Sequence, residues 1–157
     1  MSPEEWWTRL IRSCMAHAGA SHEVEKLKAM GIKTSVVSNA DPRILKTLDA
    51  LHILPLLSYP PILSWDVENS KPDRRIYDHA LESCGETDRK GVLMVGDELE
   101  ADYRGARAAG VAARLIRRQG EWSDGAARAS DESLEDVEVV RSLYDIIDHI
   151  EERNNVS

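Results

Sequence analysis

The chain has 157 residues, with 20 Lys and Arg against 28 Asp and Glu, and its net charge of -8 argues against general affinity for nucleic acid or an anionic membrane. That length makes one domain with a sizeable core. No basic segment leads into an apolar one at the start, and the most apolar stretch, Ile53 to Leu63, is broken by Pro55, Pro60 and Pro61, so neither a signal peptide nor a spanning helix is expected and the cytosol is the expected compartment.

In chain order, Ser2-Pro3-Glu4-Glu5 supplies an N-cap, a proline suited to the first helical position and two acids at the positive helix end. Trp6, Leu10, Ile11 and Cys14 then recur at helical spacing, which predicts a helix over 3–18. After Ala18-Gly19-Ala20 a second helix is expected over 22–30. The β-branched run Thr34-Ser35-Val36-Val37-Ser38 predicts a strand over 34–38, and Asp41-Pro42 opens a helix over 42–52. A short strand follows near 56–59 or 62–64, and Lys71-Pro72-Asp73 introduces a helix over 73–84.

Gly91-Val92-Leu93-Met94-Val95-Gly96 is a continuous apolar run, which suits a strand buried on both faces of a parallel sheet. A helix over 102–109 and a strand over 111–116 come next. Residues 119–132, rich in Gly, Ser, Asp and Ala, read as an exposed loop. A short strand over 137–140 precedes a helix over 141–152 whose Leu143, Ile146, Ile147 and Ile150 form one apolar stripe, then a frayed tail over 154–157. Alternating strands and helices predict an α/β fold, a Rossmann-like parallel sheet with flanking helices.

Several residues are expected to be structural. His17, His22, His52, His79 and His149 share no ligand spacing and read as surface residues. Cys14 and Cys84 sit at apolar helical positions and read as buried free thiols.

Three segments carry more chemistry. Gly96 permits a sharp turn at the carboxyl end of a strand, where open α/β sheets place ligands. Asp97 on that turn and Asp102 five residues later bring two hard oxygen ligands together, as Mg²⁺ requires, although a strand, a turn and an N-cap with no metal give the same pattern. Ser38 and Asn39 end an earlier strand beside a helix N-terminus that favours anions, and Lys71 stands immediately before another helix start.

Taken in chain order, the three segments resemble motifs II, III and IV of the haloacid dehalogenase-like hydrolase superfamily, over roughly residues 24 to 150. The resemblance implies that Ser38 is the phosphate-binding hydroxyl, with Asn39 its neighbour in the loop. It implies that Lys71 balances the charge of nucleophile and phosphoryl group, that Asp97 is the Mg²⁺ ligand and that Asp102 supports it. Hydroxyl, cation and metal converging on phosphoryl oxygens is consistent chemistry. A phosphorylated small molecule is the implied partner.

The superfamily's motif I, Asp-x-Asp-x-Thr/Val at the end of the first strand, should lie upstream of Ser38. Residues 1–33 contain no aspartate. Ile62-Leu63-Ser64-Trp65-Asp66-Val67-Glu68 imitates that motif superficially, but Ser64 to Lys71 matches the family's lead into motif III, so Asp66 is not expected to attack phosphorus. Without the attacking carboxylate there is no covalent intermediate, and one usual metal ligand is gone. The chain therefore reads as a phosphatase-type relative without its first, central strand and most of its helical cap: residues 1–20 a cap remnant, 21–153 the core and 154–157 the tail. Such a chain is expected to be inactive or impaired, with weak Mg²⁺ binding. The alternatives are a non-enzymatic binding or assembly protein that uses an exposed strand edge or the residual anion pocket to engage a partner or phosphorylated ligand, self-association being expected, and a residual hydrolase in which Asp97, Asp102 and Glu98 hold Mg²⁺ and water attacks directly.

Overall fold

The computed structural model describes residues 20–118 and 131–155. The expected helix over 3–18 lies outside them, as do residues 119–130. The described chain alternates as anticipated: α1 (Ala20–Ala29), β1 (Val37–Ser38), α2 (Arg43–Ala50), β2 (Ile62–Leu63), α3 (Ser64–Val67), α4 (Arg74–Ser83), β3 (Leu93–Gly96), a wide helical turn (Leu99–Arg104), α5 (Gly105–Ala108), β4 (Ala112–Ile116), β5 (Val139–Val140) and α6 (Leu143–Asn155). No described helix is long and apolar enough to cross a membrane.

One helix ending recurs and returns the chain toward the sheet. In it a left-handed residue lets the next N–H reach back to a carbonyl five positions earlier. Ile32 N–H donates to Leu27 O at 3.0 Å and Val111 N–H to Ala106 O at 2.9 Å. Gly31 and Gly110 supply the positive φ, at 78° and 79°. After α2 the same role falls to His52, at φ 57°, which is why that helix stops before the expected residue 52.

The sheet is divided. Val37 and Ser38 of β1 pair in parallel with Ile62 and Leu63 of β2, while β3, β4 and β5 form a separate parallel sheet in that order. Among the described residues no strand lies between β1 and β3, so each carries a ladder on one side. The two sheets are joined by side chains. Ile62 of β2, Ala113 and Leu115 of β4, and Ile76, Tyr77 and Leu81 of α4 form one core, on which Val37 and Met94 lean. Ala40, Ile44, Leu48, Ile53 and Leu63 form a second core on the other face of β2.

The division corrects one expectation. The run at 91–96 suits a strand buried on both faces, yet Leu93 is 39% exposed and Met94, Val95 and Gly96 are half-buried. β4, with a neighbour on each side, buries Ala113 and Leu115 completely. The apolar pattern marks a strand suited to a sheet interior, and among the described residues β3 has a partner on one side only.

Smaller differences have local causes. Of the two sites expected for the second strand, Ile62–Leu63 is the extended one, because Leu54–Leu56 winds into a helical turn with Pro55 inside it. Asp66 is exposed on the single turn α3 and not at a strand end. α6 continues to Asn155, so the expected tail from 154 begins inside the helix. Its Ile146 and Ile147 are buried as the stripe required, and Lys26 of α1 reaches Glu151 at 3.3 Å.

Candidate active site

The site grows from the carboxyl ends of β1 and β3. Asn39, just beyond β1, makes two bonds with the main chain of a residue 32 positions away: its Nδ2–H donates to Lys71 O at 2.9 Å, and Lys71 N–H donates to its Oδ1 at 2.7 Å. A side-chain amide thus takes the place of a strand partner and fixes the backbone that carries Lys71. From there Lys71 Nζ reaches Asp102 Oδ1 at 2.5 Å, in a pair that is nearly enclosed. The other oxygen, Asp102 Oδ2, accepts the Glu98 N–H at 2.9 Å.

That last bond explains the chain's least regular element. A helix is expected over 102–109, but winding begins at Leu99, and both Asp102 N–H and Tyr103 N–H point to Glu98 O, at 2.8 and 3.3 Å. The five-residue reach widens the turn, a form found often at functional sites. It also folds the Asp102 carboxylate back over Gly96, where an added Cβ would lie 2.6 Å from Asp102 Cβ and closer still to the carboxylate. Gly96 is therefore required for close approach, and its φ lies outside the left-handed region that a sharp glycine turn would use.

Asp97 follows Gly96 and is half-buried. Burial, with the Asp102 charge second, holds its carboxyl above the usual carboxylate range. The same two causes raise Glu98. Tyr77 Oη–H donates to the Ala101 carbonyl, and burial, with Asp102 second, pushes that phenol up. Arg117 is buried and its Nη1–H donates to the Asp97 carbonyl at 2.5 Å, while its guanidinium forks onto Glu132, with Nε to Oε2 at 3.0 Å.

Of the residues singled out from sequence, Asn39, Lys71 and Asp102 form one bonded chain, with Asp97 beside Asp102. Ser38 is half-buried at the last position of β1, one residue from Asn39. Asn39 acts as the clamp on Lys71 in addition to its place in the loop. Arg117, Tyr77 and Glu132 were not anticipated. Arg117 had a signal: Ala113 and Leu115 point inward at period two, which makes 117 the next interior position. Glu132 belongs to the stretch expected to be an exposed loop, yet its side chain is buried against Arg117.

Among the described residues no three His, Cys, Asp or Glu side chains are grouped to hold a metal ion. Both Asp102 oxygens accept bonds within the protein, and Asp97 and Glu98 are the neighbouring carboxylates that can meet an ion. One or two carboxylates with waters and phosphate oxygens fit Mg²⁺, which keeps much of its hydration, and fit no all-protein cage.

The sequence profile of the haloacid dehalogenase-like hydrolases matches residues 8–110. The chain belongs to that family. Among curated relatives, it is 27% identical over 148 residues to haloacid dehalogenase-like hydrolase domain-containing protein 3 of Danio rerio, covering 76% of this chain and 60% of the relative. It is 35% identical over 85 residues to pyrimidine 5'-nucleotidase YjjG of Escherichia coli, covering 54% of this chain and 35% of that one. Among solved structures, the HAD hydrolase YfnB of Bacillus subtilis, crystallised with magnesium, shares the fold with a TM-score of 0.69 at 19% identity, over 84% of this chain and 54% of YfnB. The chain thus spans less than two thirds of each of these proteins.

Proposed function

We propose that these 157 residues form a phosphatase-type haloacid dehalogenase-like site that binds a phosphoryl group and Mg²⁺ but does not turn over by the family's two-step route. One observation carries the reading: a nearly enclosed Lys71 ammonium tied to Asp102, beside half-buried Asp97, at the strand ends. A buried cation–carboxylate contact next to a second carboxylate is costly unless the group serves a charge. Ser38 offers a hydroxyl and Lys71 a cation to phosphoryl oxygens, and Asn39 keeps Lys71 in place. Asp97 would hold Mg²⁺ weakly, with Asp102 orienting its surroundings through Glu98 and Lys71. The ion, when bound, neutralises charge on the phosphoryl oxygens.

The first aspartate of the sequence is Asp41, which lies after β1 in an ion pair with Arg43. On this reading none of the aspartates, all of which follow β1 in the sequence, serves as the family's nucleophile. The test is hydrolysis of p-nitrophenyl phosphate with Mg²⁺, where turnover near background is expected, since loss of a nucleophile removes many powers of ten. Clear turnover abolished by Asp97→Ala would overturn the reading and favour direct attack by water.

A second reading is favoured by the divided sheet. β1 and β3 each present one unpaired edge among the described residues, and such edges recruit other strands. On this reading the chain assembles, with itself or with a partner strand, and the anion site is secondary.

A further inference from the structure

We propose that a cavity of about 690 Å³ beside Asn39 receives the organic part of an aromatic phosphomonoester, with Trp65 as its stacking face. The inference rests on the phosphate role given above to Ser38 and Lys71, and it adds the chemical class of the ester. The cavity is lined by Asn39, Asp41, Ser64, Trp65, Glu68 and Ser70. Asn39 and Ser70, the chain neighbours of Ser38 and Lys71, both line it, and the Asn39 amide is bonded to the Lys71 main chain. The open space thus adjoins the backbone that carries the two proposed phosphate-binding groups, and an ester held by them would extend its leaving group toward it.

Trp65 is 69% exposed, the most exposed large apolar side chain described. Its backbone is anchored all the same. Trp65 N–H donates to Ala40 O at 3.3 Å, and the preceding Leu63 is buried in the second core. α3 is cut short at Glu68, which takes a left-handed φ of 56°. A fixed backbone bearing an open indole at a cavity wall is a platform for a flat ring. The polar lining narrows the class further. Asp41 is paired with Arg43 at 2.6 Å, and Glu68 adds a second acidic residue to the lining. An acidic wall repels a second phosphate and accepts a neutral or donor-bearing ring.

Calorimetric titration of the 157-residue protein with phenyl phosphate and with inorganic phosphate, both with Mg²⁺, tests the inference. Wild type should bind phenyl phosphate more tightly than phosphate. Trp65→Ala should weaken phenyl phosphate roughly tenfold, as loss of one stacked ring does, and leave inorganic phosphate unchanged. Trp65→Phe should retain most of the preference. Equal affinity of wild type and Trp65→Ala for phenyl phosphate, or no binding of that ester by wild type, overturns the cavity's role whatever inorganic phosphate does. Trp65-dependent binding of the ester without any binding of inorganic phosphate keeps the cavity and overturns the phosphate reading.

Discussion

Lys71 Nζ lies 2.5 Å from Asp102 Oδ1, and the two side chains are 9% and 6% exposed. Both charges have left water, and each is satisfied chiefly by the other. Removing one partner strands a buried charge. Asp102→Ala should therefore destabilise the fold by about 3–5 kcal/mol in urea denaturation. The double substitution Lys71→Met with Asp102→Leu should cost less than either single one. Additive losses would mean that the two side chains do not depend on each other.

Gly96 is the second dependence. A methyl group there meets the Asp102 side chain, so Gly96→Ala must push the carboxylate off Lys71 or shift the turn. A loss of about 1–3 kcal/mol is expected from overpacking, read as a lower melting temperature. A stability within error of wild type would place Asp102 elsewhere.

Asp73 gives a pH dependence with a definite sign. It caps α4 by accepting the Arg75 N–H at 2.9 Å, and the Arg75 guanidinium lowers its carboxyl from the usual 3.8 to about 2. A depressed carboxyl stabilises the folded state above its unfolded pKa, and that contribution is lost as pH falls through about 4 toward about 2. Asp73→Asn should keep the cap, since asparagine caps well, but should flatten the decline in melting temperature across that window. Parallel acid-melting curves for wild type and variant would show that the carboxylate's charge contributes nothing.

How much was legible beforehand depended on where each cause lies. Asp97 and Asp102 could be read because a glycine, a carboxylate and a short spacing sit next to one another at a strand end. Lys71 could be read because Pro72 and Asp73 mark a helix start. The edge position of β3 among the described residues could not be read from its own residues, since an apolar run looks the same with one neighbour or two. The clamp from Asn39 to Lys71 crosses 32 residues, and no local pattern announces it. The wide turn at Leu99–Arg104 depends on a bond from Asp102 back to Glu98, a tertiary arrangement that helical periodicity cannot express. Arg117 was legible in principle, as the polar residue at the next inward position after Leu115.

The divided sheet predicts association. β1 and β3 lack a ladder on one side among the described residues, and Leu93 adds exposed apolar surface to that edge. Light-scattering mass across a concentration series should show dimers or larger soluble species despite the charge of -8. A cooperatively melting monomer at high concentration would show that side-chain packing alone closes the gap.

The central claim, a phosphate and Mg²⁺ site that persists without a nucleophile, is tested most directly by calorimetric titration of Mg²⁺ in the presence of inorganic phosphate, comparing wild type with Asp97→Asn. Weak, saturable binding by wild type that the variant loses is the predicted result, because Asp97 is the carboxylate that the family resemblance assigns to the ion. Identical titrations for the two proteins, or no binding by either, would contradict it and reduce Asp97 and Asp102 to turn and cap residues.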